Sequence, residues 1–354
     1  MLKNLTKNLI KKLIVLFCIN VVQVVANSED FYYKTIIFEQ QLIHTVGVNP
    51  NKYRILNTTA MDITGKNTDY LAHIAPITGA VAAINGGFFR SIENNFFVPA
   101  GPLKVANNIW HGIGYQPRAA IGWFKDNNVV LMDRIKTKTS IKLSNISLPV
   151  SYFNVPYYID QYNKYINTKP VLYSSIYHNF FNLNSKSSNL LIKQNNELVY
   201  IYQNNTQIKK LDISKADMDA AKVDIEVIPQ LEADQAALWQ KVDFITGGAP
   251  LLIKNYHELF NYSLEKLSYN FVYGKHNRTA VCTLDNGCWV FVVTASGITI
   301  PELVNVMQNL QCKDAINLDG GGSSSIYLSS KYQTVADFAS IVNKITDAIL
   351  ILPK

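Results

Sequence analysis

The sequence lacks any run of Lys or Arg long enough to follow a nucleic-acid backbone, and its high pI of about 9.0 has a local origin. Four basic residues, Lys3, Lys7, Lys11 and Lys12, lie near the start of the chain, where no acidic residue occurs. Without them the net charge falls from +7 to about +3. Because a weakly charged chain leaves no electrostatic footprint for nucleic acid, we expect no nucleic-acid partner.

Cysteine is scarce, and several signature motifs are absent. Only Cys282, Cys288 and Cys312 follow residue 26, without a C-x-x-C pair, which makes a poor zinc site. In an oxidising compartment one pair can form a disulfide, and the sequence leaves open which. The histidines show no ligand spacing, so we expect no cofactor; a divalent cation is an alternative that the spacing does not indicate. Neither G-x-S-x-G nor Walker A occurs, which disfavours lipases and nucleotide hydrolases.

Residues 1–26 have the pattern of a secretory signal peptide. A basic start precedes an apolar stretch at 13–19, and Val24 with Ala26 fits a small-x-small cleavage site. The apolar stretch is short for a membrane span and is followed by polar residues. We therefore expect an exported protein, periplasmic or secreted, that contacts a membrane only if this segment is kept as an anchor.

Residues 27–354 are long and apolar enough for a large core, and we expect them to form a single domain. Short Val, Ile, Tyr and Phe runs recur between clusters of Asn, Gly, Asp and Pro, which is typical of strands. The predicted fold class is α+β and β-rich, with mixed sheets and a few packed helices. The stretch 133–243 has the weakest motif content, and we expect it to be peripheral and variable.

Two hairpins and one helix are well specified. The stretches 118–132 and 278–293 each carry an Asp/Asn-rich turn of the kind that tight hairpins need. A capping box with proline begins at Thr299 and precedes an apolar stripe at helical spacing. A second helix is predicted over 216–221 or 232–241.

A faint internal repeat runs through the chain. Three short matches keep the same order at similar separations. They are Arg118-Ala-Ala-Ile with Arg278-Thr-Ala-Val, Ala100–Val105 with Gly248–Ile253, and Ile84–Gly87 with Ile245–Gly248. The repeat predicts two related halves around a pseudo-two-fold, with their glycine turns meeting at one cleft.

The most informative segment spans residues 315–325. An apolar run ends at Asp319, and three glycines and three serines follow. Such a turn brings bare backbone close to a ligand, its N–H groups can form an anion nest, and the aspartate adds an acid, a base or a hydroxyl ligand. The segment indicates a phosphorylated or polyhydroxylated ligand. The alternative is a tight turn between two core strands.

Taken together, five patches resemble the phosphodiester glycosidase family over roughly residues 79–350. They are Asn85-Gly-Gly-Phe-Phe89, Gly247-Gly-Ala-Pro250, Arg278-Thr279, Gly297-Ile-Thr-Ile-Pro-Glu-Leu303 and Asn317-Leu-Asp-Gly-Gly-Gly-Ser323. The resemblance implies a β-dominated fold with glycine turns lining the active cleft. It also implies hydrolysis at a sugar anomeric carbon whose leaving group is a phosphate ester. The chain departs from the family pattern at 294–297, where a loop is short and its acidic Asp-Gly is absent.

Cleaving a glycosyl phosphate requires a cation for the phosphate and a carboxylate near the oxocarbenium-like centre. We expect Arg278 to bind the phosphate through its planar fork, with a contribution from Arg118. Asp319 is the predicted catalytic carboxylate, and Glu302 is its candidate acid or base partner. The alternative for Glu302 is a purely structural cap of its helix.

The remaining candidates for substrate binding are polar or glycine residues of the same patches, each with an alternative role in its own turn or cap. They are Asn85, Gly86, Gly87, Thr279, Thr299, Asn317, Gly320, Gly321, Gly322 and Ser323. The predicted partner is a phosphorylated carbohydrate, such as an envelope glycan or exopolysaccharide. Two other functions are left open: a non-catalytic carbohydrate or envelope-binding protein on the same fold, and a metal-dependent phosphodiesterase.

Overall fold

The structure, a computed structural model, describes most but not all of the chain. It covers residues 19–27, 30–92, 96–144, 146–154, 170–174, 177, 188–194, 197–204, 220–330 and 343–354. Most of the predicted signal peptide and most of the predicted helix at 216–221 lie outside these residues.

The described residues are dominated by strands. In chain order these are β1 Ile19–Asn27, β2 Phe31–Phe38, β3 Gln41–Val48, β4 Tyr53–Thr59, β5 Ala82–Asn85, β6 Phe89–Ser91, β7 Phe97–Pro99, β8 Leu103–Val105, β9 Ile109–Gly112, β10 Arg118–Trp123, β11 Val130–Leu143, β12 Ile146–Pro149, β13 Tyr152–Phe153, β14 Val171–Ser174, β15 Ser188–Gln194, β16 Glu197–Asn204, β17 Lys222–Pro229, β18 Phe244–Gly247, β19 Leu251–Lys254, β20 His257–Glu258, β21 Thr279–Thr283, β22 Trp289–Thr294, β23 Asp314–Asn317, β24 Ile326–Leu328 and β25 Asp347–Pro353.

The helices are short. They are α1 Ala60–Thr64, α2 Leu71–Thr78, α3 Ala236–Trp239, α4 Tyr269–Tyr273 and α5 Ile300–Asn309. The β-rich class with a few packed helices is therefore confirmed. In the described part of the chain, no helix is long and apolar enough to span a membrane.

Two large sheets, with a smaller third one, frame the molecule. The eight-stranded sheet has the order β1-β2-β3-β22-β21-β23-β19-β20, and the seven-stranded sheet has the order β12-β11-β10-β18-β8-β9, with β17 also paired to β11. A four-stranded sheet, β24-β5-β25-β4, completes the frame, and a separate four-stranded sheet, β13-β14-β16-β15, lies within 133–243. Strand β1, at the edge of the largest sheet, falls largely inside the predicted signal peptide and pairs with β2.

The predicted repeat appears as two five-stranded arrays of identical order. We call β11-β10-β18-β8-β9 the Arg118 array and β22-β21-β23-β19-β20 the Arg278 array. In spatial order, each array begins with a two-stranded hairpin, and next to it lies the strand that runs into a glycine turn. Beyond that strand comes one that begins at the Leu of a Pro-Leu pair, and the array ends with the hairpin partner of this strand. Two of the three sequence matches thus lie at equivalent places. The match of Ile84–Gly87 with Ile245–Gly248 is wrong in this sense, because β5 pairs with β25 in a different sheet.

The arrays pack against each other around the largest hydrophobic cluster. Trp123 of one array and Trp289 of the other meet edge to face, with ring centroids 5.5 Å apart. Burying such large rings is among the strongest stabilising terms in a core. A disulfide between Cys282 and Cys312 joins β21 to the chain just before β23, and Cys288 remains a free thiol.

The specified local elements form as the sequence predicts. Both hairpins are present as β10–β11 and β21–β22. Helix α5 begins after Thr299, whose side chain accepts from the Glu302 backbone in a complete capping box. Of the two positions predicted for the second helix, the later one holds α3.

Candidate functional site

Three glycine turns meet at one point of the fold. They follow β5, β18 and β23, which end at Asn85, Gly247 and Asn317. The Asp319 N–H donates to the Gly86 carbonyl at 3.3 Å, which joins the first turn to the third. The Ala249 N–H donates to the Asn317 carbonyl at 2.9 Å, which joins the second to the third. The predicted meeting of the turns is therefore present, and strands from all three sheets of the frame contribute to it.

Close approach explains the glycines of this junction except Gly321, whose left-handed φ of 61° favours glycine instead. A Cβ on Gly87 would lie 2.6 Å from the Gly247 carbonyl oxygen, and one on Gly86 would overlap the Asp347 carboxylate. No side chain fits in such space. The glycines let three backbones pack directly around the acidic groups.

Asp319 is the partly exposed carboxylate of the junction. It directly follows the buried strand β23, and its Oδ1 accepts from the Gly320 N–H at 2.9 Å. Burial raises its pKa to about 6, although hydrogen bonds from Ser323 and Gly320 act in the opposite direction. Near neutral pH this carboxyl group can therefore both hold and release a proton.

Asp347, at the start of β25, is a second carboxylate that the sequence analysis missed. It is only 2% exposed, and it accepts from the Gly87 N–H at 2.8 Å and from the Thr346 hydroxyl at 2.8 Å. Burial raises its pKa to about 7, and the charge of Asp319 raises it further. A signal existed in the sequence: Asp347 precedes an apolar strand just as Asp319 follows one.

The two carboxyl groups form an electrostatically coupled pair. The charge of Asp319 disfavours ionisation of Asp347, so of the two groups Asp347 keeps its proton to higher pH. Asp347 has the higher pKa and is sealed beneath the Gly86–Gly87 turn, whereas Asp319 reaches solvent. The arrangement supplies an ionised carboxylate at the surface of the junction and a proton just below it.

Asn85 and Thr279 are brought to the junction as predicted, but both are buried. The Thr279 hydroxyl donates to Asn85 Oδ1 at 2.8 Å, and the Ser325 N–H donates to the same oxygen at 3.0 Å. The Asn85 amide donates to the Asp319 carbonyl at 2.9 Å. With 1% and 0% exposure, Asn85 and Thr279 fix the turns and do not face a ligand.

Three backbone N–H groups in the glycine turn after Asp319 are already used within the fold. Its N–H groups at Gly320, Gly321 and Ser323 donate to oxygens of Asp319, Asn277 and Gly320, respectively. The N–H groups of Gly86 and Gly87 likewise donate to the backbone and the carboxylate of Asp347. Donors already satisfied in this way have little to offer a phosphate.

Asn317 and the last two predicted turn residues also serve the fold. The Asn317 amide, fully buried, donates to the Ala249 carbonyl at 2.6 Å and to the Leu318 carbonyl at 2.8 Å. Gly322 accepts at its carbonyl from the Asn343 N–H at 2.6 Å. Ser323 is 6% exposed and hydrogen bonds to Asp319.

The environment of Arg278 differs from that expected of a phosphate ligand. Its guanidinium is 1% exposed and donates to the carbonyl oxygens of Ile298, Phe271 and Gly274 at 2.8 to 3.0 Å. The Phe271 ring lies over it at 5.2 Å, and burial lowers the pKa of Arg278 to about 10. A guanidinium that holds three backbone carbonyls fixes the loops around β21, and it is not placed to bind a phosphate.

Arg118, the equivalent residue of the other array, is partly exposed. In the amide orientation that satisfies both groups, the Gln116 side-chain oxygen accepts from Arg118 Nε at 3.1 Å. The next residue, Ala119, accepts at its carbonyl from the Gly248 N–H at 2.7 Å. The residue after Arg118 thus contacts the second glycine turn, and Arg118 as a whole is partly exposed.

Glu302 and Thr299 are fully used as a helix cap. Glu302 Oε2 accepts from the Thr299 N–H at 2.6 Å, and Oε1 lies 3.5 Å from Lys275 Nζ. Burial opposes ionisation, but these contacts outweigh it and hold the pKa of Glu302 below its usual range. No contact among the described residues joins Glu302 to Asp319. The catalytic interpretation of Glu302 is therefore replaced by its structural alternative.

Three further residues lie near the carboxylate pair without having been predicted. Tyr177 and His111 are buried, and their rings meet edge to face at 6.0 Å. Burial raises the pKa of Tyr177, and the charges of Asp347 and Asp62 raise it further. His111 Nε2 lies 3.7 Å from Asp62 Oδ2, and burial lowers the pKa of this histidine. Scattered over the sequence, these residues carry no local motif that predicts their proximity.

A resident metal finds no ready cage in the part of the chain that the structure describes. No group of three or more His, Cys, Asp or Glu side chains lies close enough to hold a metal ion there. The acidic groups of the junction are two carboxyls, Asp319 and Asp347, whose raised pKa values suit them to proton transfer near neutral pH.

Solved structures show similar folds. A hypothetical protein from Synechocystis is 20% identical, with a TM-score of 0.69, over 92% of this chain and 63% of that one. A putative exported protein from Burkholderia pseudomallei K96243 is 16% identical, with a TM-score of 0.59, over 91% of this chain and 74% of that one. These identities establish likeness of fold, and the chain spans somewhat less than two thirds of the Synechocystis protein.

A third solved structure is the catalytic domain of zebrafish N-acetylglucosamine-1-phosphodiester alpha-N-acetylglucosaminidase, auto-inhibited by its pro-peptide. It is 11% identical, with a TM-score of 0.47, over 95% of this chain and 82% of that one. No curated protein matches the sequence significantly. The family model for phosphodiester glycosidases matches residues 173–352, about half of the chain, and includes Asp319, Asp347 and Arg278. The chain belongs to the phosphodiester glycosidase family of hydrolases.

Proposed function

We propose that this protein is an exported hydrolase that cleaves a sugar 1-phosphodiester, with Asp319 at the reacting centre. The observation that carries the proposal is the coupled pair of Asp319 and Asp347 where the three turns meet. A phosphate ester is already a fair leaving group, so the main requirement is a carboxylate beside the developing oxocarbenium ion. An ionised Asp319, partly open to solvent, meets it.

Asp347 acts through Asp319 and through the turn above it. Its carboxylate fixes the Gly87 N–H, and its own proton keeps a second negative charge away from Asp319. When Asp319 takes a proton from the attacking water, the bond between the anomeric carbon and the phosphate oxygen breaks and the phosphate ester leaves. Asp319 then passes its proton to solvent, which it reaches, while Asp347 keeps its own proton throughout. Asp347 is therefore a positioning residue rather than one that contacts the sugar.

Arg118 is the proposed phosphate ligand in place of Arg278. A guanidinium recognises phosphate oxygens through paired N–H donors, which requires that it be accessible. Arg118 is partly exposed and adjoins the Gly248 turn, whereas Arg278 is enclosed by carbonyls. Arg278 then keeps the loops of its own array in place.

The proposed substrates are phosphodiester-linked glycans outside the cytoplasm, such as envelope glycans or exopolysaccharide. The signal-like start of the sequence supports export, and the family supports a phosphorylated sugar. Neither the sugar nor its partner alcohol is specified by the residues of the junction.

Turnover of a substrate panel tests the proposal. Sugar 1-phosphodiesters of N-acetylglucosamine, glucose and mannose are offered to the purified protein, and the free sugar released is measured. Asp319→Asn is expected to lower kcat/KM about 1,000-fold, within the range for loss of a catalytic acid or base. Asp126→Asn, in the exposed β10–β11 turn, is the matched control and retains full activity.

Each other outcome has a defined meaning. Turnover that persists unchanged in Asp319→Asn excludes this junction as the reacting centre. Glycan binding without any turnover favours the non-catalytic carbohydrate-binding alternative. Activity that is lost in chelator and restored by a divalent cation favours a metal-dependent phosphodiesterase.

A further inference from the structure

A cavity lined by polar and apolar groups lies at the opposite end of the Arg278 array from the glycine turns. It has a volume of about 720 Å³, which is within the usual range for a ligand pocket. Strand β21 starts beside the junction at Thr279 and reaches the cavity region after Thr283. At the rise of a strand, five residues separate the two sites by roughly 15 Å. We call this cavity the far groove.

The lining of the far groove combines one aromatic ring with amides and a carboxylate. Tyr256, 49% exposed, comes from the β19–β20 turn, and Asp285 and Asn286 come from the β21–β22 turn. Gln308 and Gln311, both exposed, come from the end of α5. Amides offer both donors and acceptors, and a tyrosine ring offers an apolar face with a polar tip.

This chemistry matches a neutral saccharide. A sugar ring has apolar C–H faces that pack on an aromatic ring, and its hydroxyls pair with amides and carboxylates. No Lys or Arg is among the described residues that line the far groove, so nothing there recruits a phosphate. The far groove thus differs in kind from the junction, which has coupled carboxyls and the adjoining Arg118.

The walls of the far groove are held in place before any ligand arrives. The Tyr256 N–H donates to the Lys313 carbonyl at 2.8 Å, and the Asn255 N–H donates to Asp314 Oδ1 at 2.8 Å. The Tyr256 hydroxyl hydrogen bonds to Asp285, which ties two of the three walls together. The Cys282–Cys312 disulfide ties the third wall to the sheet. Preorganised walls reduce the entropy lost on binding.

The backbone of Tyr256 is the least expected feature of this region. Asn255 and Tyr256 form the two-residue turn between β19 and β20, and both have positive φ, 48° and 67°. Glycine is the favoured residue at the second position of such a turn. The chain instead carries a large, exposed ring there, although a side chain in this conformation costs free energy. A role for the ring in contacting a ligand accounts for it.

We propose that the far groove is a non-catalytic binding site for neutral, unphosphorylated sugar units. It takes part of a glycan whose phosphodiester lies at the junction, and in this respect it rests on the proposed function. Binding at the far groove itself requires no turnover, so the two proposals can fail separately.

Calorimetric titration with neutral hexasaccharides tests the proposal. Hexamers of N-acetylglucosamine, glucose and mannose are titrated into the full-length protein and into Asp319→Asn. Tyr256→Ala is expected to weaken binding at least about ten-fold, equivalent to about 1.4 kcal/mol. Gln311→Ala is expected to weaken it less. Tyr70→Ala, which removes a 40% exposed tyrosine at the start of α2, leaves binding unchanged.

Three results would overturn the far groove as a saccharide site. They are no binding of any hexamer by the unaltered protein, equal binding by Tyr256→Ala, and binding that is lost in Asp319→Asn but kept in Tyr256→Ala. The last result places the sugar at the junction instead. If the protein binds hexamers through Tyr256 but hydrolyses no phosphodiester, the far groove stands and the proposed function fails.

A kinetic comparison gives an independent reading. Tyr256→Ala is expected to raise KM for a polymeric glycan phosphodiester about ten-fold and to leave kcat and KM for a single-sugar phosphodiester unchanged. An equal effect on both substrates would show that the residue acts on the junction rather than on a separate site.

Discussion

The Arg118 and Arg278 arrays share one strand order but differ in what they place at the junction. The Arg278 array ends its central strand in Asn317-Leu-Asp319, so a carboxylate enters the junction. The Arg118 array ends the equivalent strand in Thr246-Gly247-Gly248, which carries no ionisable group. The Arg278 array therefore supplies the carboxylate of the junction, and the Arg118 array supplies a glycine backbone that packs against the other turns.

The two arginines differ in the opposite sense, because here the Arg118 array carries the residue that is more open to solvent. Arg278 is enclosed and holds carbonyls, whereas Arg118 is partly exposed beside its turn. The last residue of β22 also holds the Arg278 backbone, because the Thr294 hydroxyl accepts from the Arg278 backbone N–H at 2.8 Å. Equivalent positions of a repeat thus have different roles when the residues around them differ.

The largest effect is expected from filling the contact between the Gly87 turn of the third sheet and the Gly247 turn of the Arg118 array. Gly87→Ala places a Cβ 2.6 Å from a backbone oxygen, which cannot move as a flexible side chain can. We expect a loss of about 3 kcal/mol in the free energy of unfolding, as for overpacked cores. Displacement of Asp347 by an ångström is expected to cost about 100-fold in kcat/KM.

Gly101→Ala is the control for this change. Its nearest neighbour atom, in Gly247, is at an ordinary 3.8 Å, so it is expected to be tolerated. Urea unfolding and the phosphodiester assay measure both variants. Equal stability of the two variants would show that the turns are not packed as described.

The next largest effect is expected from replacing the two equivalent arginines, Arg278 and Arg118. Arg278→Met leaves three carbonyls without their buried donor, so we expect a loss of about 3 kcal/mol in the free energy of unfolding. Arg118→Met is expected to change stability by less than about 0.5 kcal/mol, as is usual for a surface site, but to raise KM for the phosphodiester. A reversed order of the two stabilities would contradict the assignment of roles.

A smaller effect is expected on the pH dependence of stability. The folded-state pKa values of Asp319 and Asp347, about 6 and about 7, lie above those of an unfolded chain. The folded state therefore binds more protons, and stability falls as pH rises through these values. We expect the melting temperature to drop between pH 5 and pH 8.

Asp347→Asn separates this contribution from the rest. It removes one of the two titrating groups, so its melting temperature is expected to change less over the same pH range. Because Asp347 is still protonated when Asp319 ionises, the neutral Asn is expected to leave the pKa of Asp319, and with it the acid limb of kcat/KM, nearly unchanged. A clear shift of the acid limb to lower pH would show that Asp347 is already charged when Asp319 ionises, which contradicts the order of the two pKa values.

The smallest effect is expected at Glu302. Glu302→Gln keeps a side chain that can still cap α5 but loses the charge near the helix start, so we expect a cost of about 0.5 kcal/mol. Activity is expected to stay within a factor of about two, since no described contact links this residue to Asp319. A large fall in kcat would restore the catalytic interpretation that the capping geometry replaces.

Much of the local structure could be predicted from the sequence, because its causes are local. The capping box at Thr299 and the turns of both hairpins depend on neighbouring residues, so α5 and both hairpins form where predicted. Asp319 could be singled out as a candidate for a similar reason, since the apolar run and the glycines around it are contiguous; its catalytic role stays a prediction. The predicted peripheral role of 133–243 and the single-domain boundaries stay predictions.

The missed residues share a different property. Asp347, Asp62, His111 and Tyr177 come from separate elements and meet only when the sheets assemble. Arg278 was misassigned because exposure, which separates a phosphate ligand from a carbonyl clamp, is not written in the local sequence. The expected anion nest is limited likewise, since three of its N–H groups are already used within the fold.

By itself, the sequence determined which strands and turns this chain can form and which family it resembles, because strand periodicity, caps and glycine turns act over a few residues. Only the tertiary structure decided which carboxyls are coupled, which arginine is enclosed and which glycines are irreplaceable. The physical reason is that burial, charge coupling and close approach are properties of the space between segments, and that space exists only after the sheets have packed.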